Sequence, residues 1–121
     1  VAGDRLLVAF STPPADRAAT LARDYDRLAR LHALPAEHRP LQMLALAGAE
    51  VLAEAIKRMG REASRERLIA TLEGMYDFDA GTGAPIGFGP NRRIGAHGAY
   101  VATLDLAHQS MGDAAWTALT P

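Results

Sequence analysis

The sequence predicts a mixed α/β chain, and three observations carry that expectation. Leu6-Leu7-Val8-Ala9-Phe10 is a continuous apolar run closed by Ser11-Thr12-Pro13-Pro14, the pattern of a short strand buried on both faces. Such strands belong to parallel sheets with helical cover. Two long segments then repeat apolar residues every three or four positions, the period of an amphipathic helix. Ala99-Tyr100-Val101-Ala102-Thr103-Leu104 is a second strand-like run near the end.

In order, the first strand is expected at about 5–10. A helix follows over about 15–32, with Ala18, Leu21, Tyr25, Leu28 and Leu31 on one stripe and Arg17, Arg23, Asp24, Asp26, Arg27 and Arg30 largely opposite. Pro14 suits its first turn, and Pro35 marks its end. A second helix is expected at about 41–59, burying Leu41, Leu44, Gly48, Val51, Leu52, Ala55, Ile56 and Met59, with Lys57 and Arg58 at its negative end and Gly60 as a left-handed cap. Ser64 is an N-cap residue for a third helix over about 65–74. The stretch from Asp77 to Gly95 is rich in Gly, Pro and Asn. It reads as a loop, a short strand at about 84–88 and a turn at Gly89-Pro90-Asn91. The last strand is expected at about 99–105, and the tail around Trp116 as one or two loose helical turns.

The chain has 121 residues, 49% of them apolar and 22% charged, the balance of a globular single segment. A net charge of −1 gives no field that would favour nucleic acid. With no cysteine, a disulfide framework, a thiolate metal site and a Cys nucleophile are all excluded. Leu41 to Ala49 is the longest nearly uncharged apolar run, far short of a bilayer span. Val1-Ala2-Gly3-Asp4-Arg5 lacks the layout of a signal peptide.

No motif points to catalysis. Asp77-Phe78-Asp79-Ala80-Gly81-Thr82 opens like a calcium loop, but Phe88 stands where the closing carboxylate is needed. Gly81-Thr82-Gly83 lacks the Gly-Lys-Ser/Thr ending of a phosphate loop and leads into a strand rather than a helix. His32, His38, His97 and His108 have no metal-ligand spacing, and Arg92-Arg93 reads as an exposed pair. The proline-rich stretch between the first two helices is too long for a DNA-binding helix-turn-helix. Neither a metal nor an organic cofactor is expected, and the chain reads as a non-enzyme.

The order of segments resembles a known family. The strand and Pro-containing turn lead to a helix carrying Tyr25. A small-residue-rich helix follows, Ala49-Glu50-Val51-Leu52-Ala53-Glu54-Ala55-Ile56-Lys57-Arg58-Met59-Gly60. Next comes the capped helix Ser64-Arg65-Glu66-Arg67-Leu68-Ile69-Ala70-Thr71-Leu72-Glu73, then Phe78-Asp79-Ala80-Gly81-Thr82-Gly83-Ala84-Pro85 with Ile86-Gly87-Phe88. Last is Pro90-Asn91-Arg92-Arg93-Ile94-Gly95 before the Tyr100-Val101 strand. This layout is similar to the C-terminal portion of type I periplasmic solute-binding proteins of the branched-chain amino-acid-binding family. Two departures stand out: Leu44 to Gly48 occupy a stretch where relatives often carry Tyr, and Arg93 stands where His is common.

The resemblance implies a Rossmann-like lobe of a bilobed fold, with the first and last strands in one lobe and the middle helices in the other. It implies an exported, periplasmic component of an ABC-type importer whose signal has been removed. Its partners would be a small solute, an amino acid or small carboxylate, and the transporter permease. Ligand contacts are expected at Phe10, Ser11 and Met43, since open α/β sheets bind ligands at strand C-termini. The alternative is a ligand-free structural, dimerisation or sensor module of the same fold. In either case apolar layers left uncovered imply self-association, possible as an intertwined dimer.

Overall fold

A computed structural model of the chain describes residues 5–14 and 17–119. It is mixed α/β, with three helices and a four-stranded antiparallel sheet. The order is β1 (Arg5–Phe10), α1 (Ala19–His32), α2 (Arg39–Met59), α3 (Arg65–Glu73), β2 (Gly98–Asp105), β3 (Ser110–Met111) and β4 (Ala115–Ala118).

Helix α1 starts at Ala19, after a turn in which Arg17 and Ala18 donate to the Pro14 carbonyl at 3.0 and 3.1 Å. The expected start at 15–16 lies outside the described residues. The helix stops where Ala33 turns left-handed (φ 49°, ψ 46°) and Leu34 N–H returns to the Ala29 carbonyl. Pro35 then prevents continuation. Helix α2 begins at Arg39, and Pro40 sits in its first turn, where no amide donor is required. Gln42 ties the two helices together. Its amide donates to the Pro35 and Glu37 carbonyls of the connector at 3.1 and 2.7 Å, and its oxygen accepts from Tyr25 Oη at 3.1 Å. Arg39 pairs with Asp26 at 2.8 Å across the same junction.

The buried row of α2 differs from the expected stripe. Met43, Ala47, Val51, Ala55 and Met59 are buried, whereas Leu41, Leu52 and Ile56 are 62%, 46% and 50% exposed. The helix is apolar on several sides, so periodicity alone does not fix which side is covered. Small side chains at 47 and 55 allow close approach to the neighbouring helices. The core forms there, around Ala18, Leu21 and Tyr25 of the α1 segment together with Met75 and Ala80. At the far end of α1, Leu31 is exposed. Gly60 beyond α2 takes φ 74° and ψ −148°, an extended glycine conformation rather than the expected left-handed cap, whereas Lys57 and Arg58 occupy the last turn as expected. Helix α3 is capped by Ser64, whose Oγ accepts from Arg67 N–H at 3.1 Å. It lays Leu68 and Leu72 against the core.

The expected strand at 84–88 is not a strand. Ile86 exchanges two hydrogen bonds of 2.9 Å with Phe78 and forms a further bridge with Ala96. Gly83 at φ 71°, Pro85, Gly87 and Gly89 break the extended run on both sides. The Gly89-Pro90-Asn91 turn is present, closed by reciprocal hydrogen bonds between Gly89 and Arg92.

The first strand is also corrected. Strand β1 is an antiparallel edge strand and not a buried parallel one: Arg5 faces Asp105 and Phe10 faces Tyr100, and Leu7 is 78% exposed. No helix packs on the sheet among the described residues, so the cover that would bury β1 twice is missing. The tail is a strand too, since Trp116 lies on β4 opposite Tyr100. On the second edge of β2, the pairing of β3 and that of β4 differ in register by one residue across Gly112 to Ala114. This is a β-bulge, which bends the edge.

Two measurements check these local devices. Ser64→Ala should lower the unfolding free energy by about 1 kcal/mol, read by urea denaturation. At the β2–β3 turn, Asp105 accepts from the His108 backbone N–H and meets its ring Nδ1, each at 3.0 Å. The backbone bond, then the ring, hold the Asp105 carboxyl below its ordinary value. That stabilisation is present above the usual aspartate range and is lost as pH falls through the lower folded value. Thermal melts should therefore show a smaller acid-induced decline for Asp105→Asn than for the wild type.

Candidate functional site

Among the described residues no helix comes into close backbone contact with the sheet, and a groove of about 410 Å³ lies between the two layers. One side is the α2 surface at Leu44, Gly48 and Leu52. The opposite side is the sheet, at Tyr100 and Trp116, with Ser11 at the end of β1. The loop 82–96 forms the remaining wall through Thr82, Ala84, Ile86 and Phe88.

Each wall has a local cause. Asp79 Oδ1 accepts from Gly81 N–H at 2.7 Å, and Gly81 and Gly83 at φ 79° and 71° turn the loop back on itself. A Cβ at Gly83 would sit 2.8 Å from the Arg17 carbonyl oxygen. The Phe88 N–H donates to the Met75 carbonyl at 3.1 Å, anchoring the loop to the core. The sheet side is organised by three rings, Phe10 stacked on Tyr100 and Trp116 meeting Tyr100 edge-on. Phe10, Tyr100 and Trp116 are cross-strand neighbours, with centroids 6.2 and 5.1 Å apart. Tyr100 is 2% exposed, and its hydroxyl donates to the Thr82 carbonyl at 2.6 Å. That bond fixes the loop wall to the sheet. Gly98 lets β4 lie close, since a Cβ there would reach Trp116 Cζ2 at 2.7 Å.

Among the described residues, no carboxylate, imidazole, amine or guanidinium lines the groove. Its polar groups are few. The Thr82 hydroxyl already donates to the Ala84 carbonyl at 3.2 Å, whereas Ser11 is exposed at the groove mouth. Such a lining favours an uncharged, largely apolar occupant and offers neither an acid/base pair nor a ligand set for a metal.

The residues expected to contact a ligand fall in three places. Ser11 lines the groove. Phe10 is half-buried and reaches it through the ring stacked on Tyr100. Met43 is 6% exposed in the helical core and borders a separate, smaller cleft with Thr12, Pro13 and Arg39. Tyr100, Trp116 and Leu52 line the groove but are not among the ligand contacts expected from the sequence. The signal that could have found the first two is aromatic: strands containing Phe10, Tyr100 and Trp116 bring the three rings into contact only if they pair.

Comparison with family models, with curated proteins and with solved structures returned no match to this chain.

Tyr100→Phe keeps the ring stack but leaves the buried Thr82 carbonyl without its donor. The expected loss is about 1–3 kcal/mol, measured by urea unfolding with near-ultraviolet circular dichroism to confirm that the aromatic stack survives.

Proposed function

We propose that this chain is the C-terminal portion of a solute-binding protein of the branched-chain amino-acid-binding type, serving an ABC-type importer in the periplasm. Binding is non-covalent. Two layers close on the solute about the segments that join them, with no chemical step. The observation that carries the reading is the uncharged groove between a sheet and a helical layer that do not pack together. It accompanies family-like motifs at places that build it: Phe78 to Phe88 supplies the loop wall, Val51 and Leu52 of the Ala49 to Gly60 stretch part of the helical side, and Tyr100 the sheet side. In this reading the aliphatic part of a branched solute lies against Leu44, Leu52 and Trp116. Its polar end faces Ser11 and the open side, where charge stays hydrated.

Trp116 is the single tryptophan, so its emission reports on the groove without labelling. Leucine, isoleucine, valine and their amides should each give a saturable emission change. Each should also raise the melting temperature, because a ligand at a hundred times its Kd adds about 2.7 kcal/mol. Glutamate and lysine should do neither. A flat response to every solute, in this chain and in any longer product its gene encodes, would overturn the reading.

A further inference from the structure

We propose that Gly48 sets the ligand size of the groove: its missing side chain leaves a notch between Leu44 and Leu52 that seats a small, uncharged, apolar group. The inference rests on the reading of the groove as a solute site, and adds the residue that decides which solutes fit. Leu44, Gly48 and Leu52 follow one another at one helical turn on the same face of α2, and all three line the groove. A leucine thus stands on either side of a position without a side chain. The rings of Tyr100 and Trp116 form the facing wall.

Glycine is an unfavourable choice at this place. In a helix interior it is less stabilising than alanine, because its backbone loses more freedom on folding. Position 48 lies mid-helix, so no turn or positive φ requires it. Packing within the chain does not require it either. A Cβ at Gly83 would meet the Arg17 carbonyl oxygen at 2.8 Å, and one at Gly95 would meet the Ile86 and Phe88 side chains at 2.8 Å. Close neighbours therefore account for those two glycines. A Cβ at Gly48 would meet nothing within 4 Å. The space that a side chain at this position would fill belongs to the groove.

The chemistry of the walls selects the occupant. Among the described residues the lining carries no charged group, so an ion placed in the notch would lose hydration and gain no partner. Aliphatic side chains flank the notch and aromatic ones face it, which favours an apolar group. Size then argues against a peptide helix. A helix about 10 Å across with a pitch of about 5.4 Å fills about 420 Å³ per turn. One turn would exhaust the groove of about 410 Å³, whereas a small molecule matches that volume.

Benzene and toluene are suitable probes, since both are uncharged and neither depends on the identity of the natural solute. In the wild type each should change Trp116 emission saturably. Gly48→Leu should weaken both by about tenfold or more, the scale on which a methylene decides selectivity in a hydrophobic pocket. Gly48→Ala should weaken toluene more than benzene, a difference that a merely disturbed helix would not produce. Its ligand-free form should also melt higher than the wild type, because the added Cβ meets no neighbour. Ala49→Leu places the same bulk on an exposed position outside the groove and should bind both probes as the wild type does. The Gly48→Ala comparison stands even if Gly48→Leu fails to fold. A wild type that binds neither probe overturns the proposal. So does a Gly48→Ala variant that binds both as tightly as the wild type, or that weakens both alike. Leucine and valine titrated in parallel separate the proposal from the reading beneath it. Toluene binding that depends on residue 48, without a response to any amino acid, supports the notch and sinks the amino-acid reading. Amino-acid binding indifferent to residue 48 does the reverse.

Discussion

One phenol connects the two halves of this molecule. Tyr100 stands at the centre of the sheet, between the rings of Phe10 and Trp116, and its hydroxyl reaches the Thr82 carbonyl on the loop that leads back to the helices. The ring is apolar and 2% exposed, so it contributes burial. The hydroxyl is polar and has a partner, so that burial leaves no orphaned donor. Since no helix among the described residues comes into close backbone contact with the sheet, this bond and the loop walls it holds help to set the position of the helical layer relative to the strands. The groove exists because that connection is narrow.

The helical layer is held differently. Its junctions are polar at the α1–α2 turn, where Gln42 and Arg39 satisfy carbonyls and a carboxylate, and apolar along the Met43–Met59 row. Alanines at 47 and 55 bring the helices close, and the consequence is geometric. Once the Met43–Met59 row faces inward, Leu41, Leu52 and Ile56 are left facing out. The exposed apolar surface of α2 is thus a direct result of how its core packs.

How much of this could be read from the sequence depended on whether the deciding partner was near in sequence. The three helices were legible because their period, Pro35, Ser64 and Gly60 are all local signals. The buried side of α2 was not, because a helix apolar on several sides leaves its phase to whatever packs against it. Strand β1 was legible as a strand from its apolar run, yet that run reads the same whether the strand is central or at an edge. Its partner β2 is remote in sequence, and only pairing separates the two cases. Strand β4 is four residues long, too short to show alternation, which is why Trp116 suggested a helical turn. In the groove, Ser11 followed from the rule that ligands gather at strand ends. Tyr100 and Trp116 did not, since their meeting depends on cross-strand register.

The sheet also has a consequence for handling the protein. Strand β1 lies at its edge and consists of Leu6, Leu7, Val8, Ala9 and Phe10 behind a single charge at Arg5. It contains no proline, no bulge and no inward-pointing lysine, the usual devices that stop one edge from templating another. A short, uncharged, β-prone segment of this kind is a nucleus for cross-β stacking whenever it is exposed during folding. Recovery of soluble protein should therefore depend steeply on the concentration at which it is refolded. A charged residue on the solvent face of β1 would act as a gatekeeper against such fibrils without touching the groove.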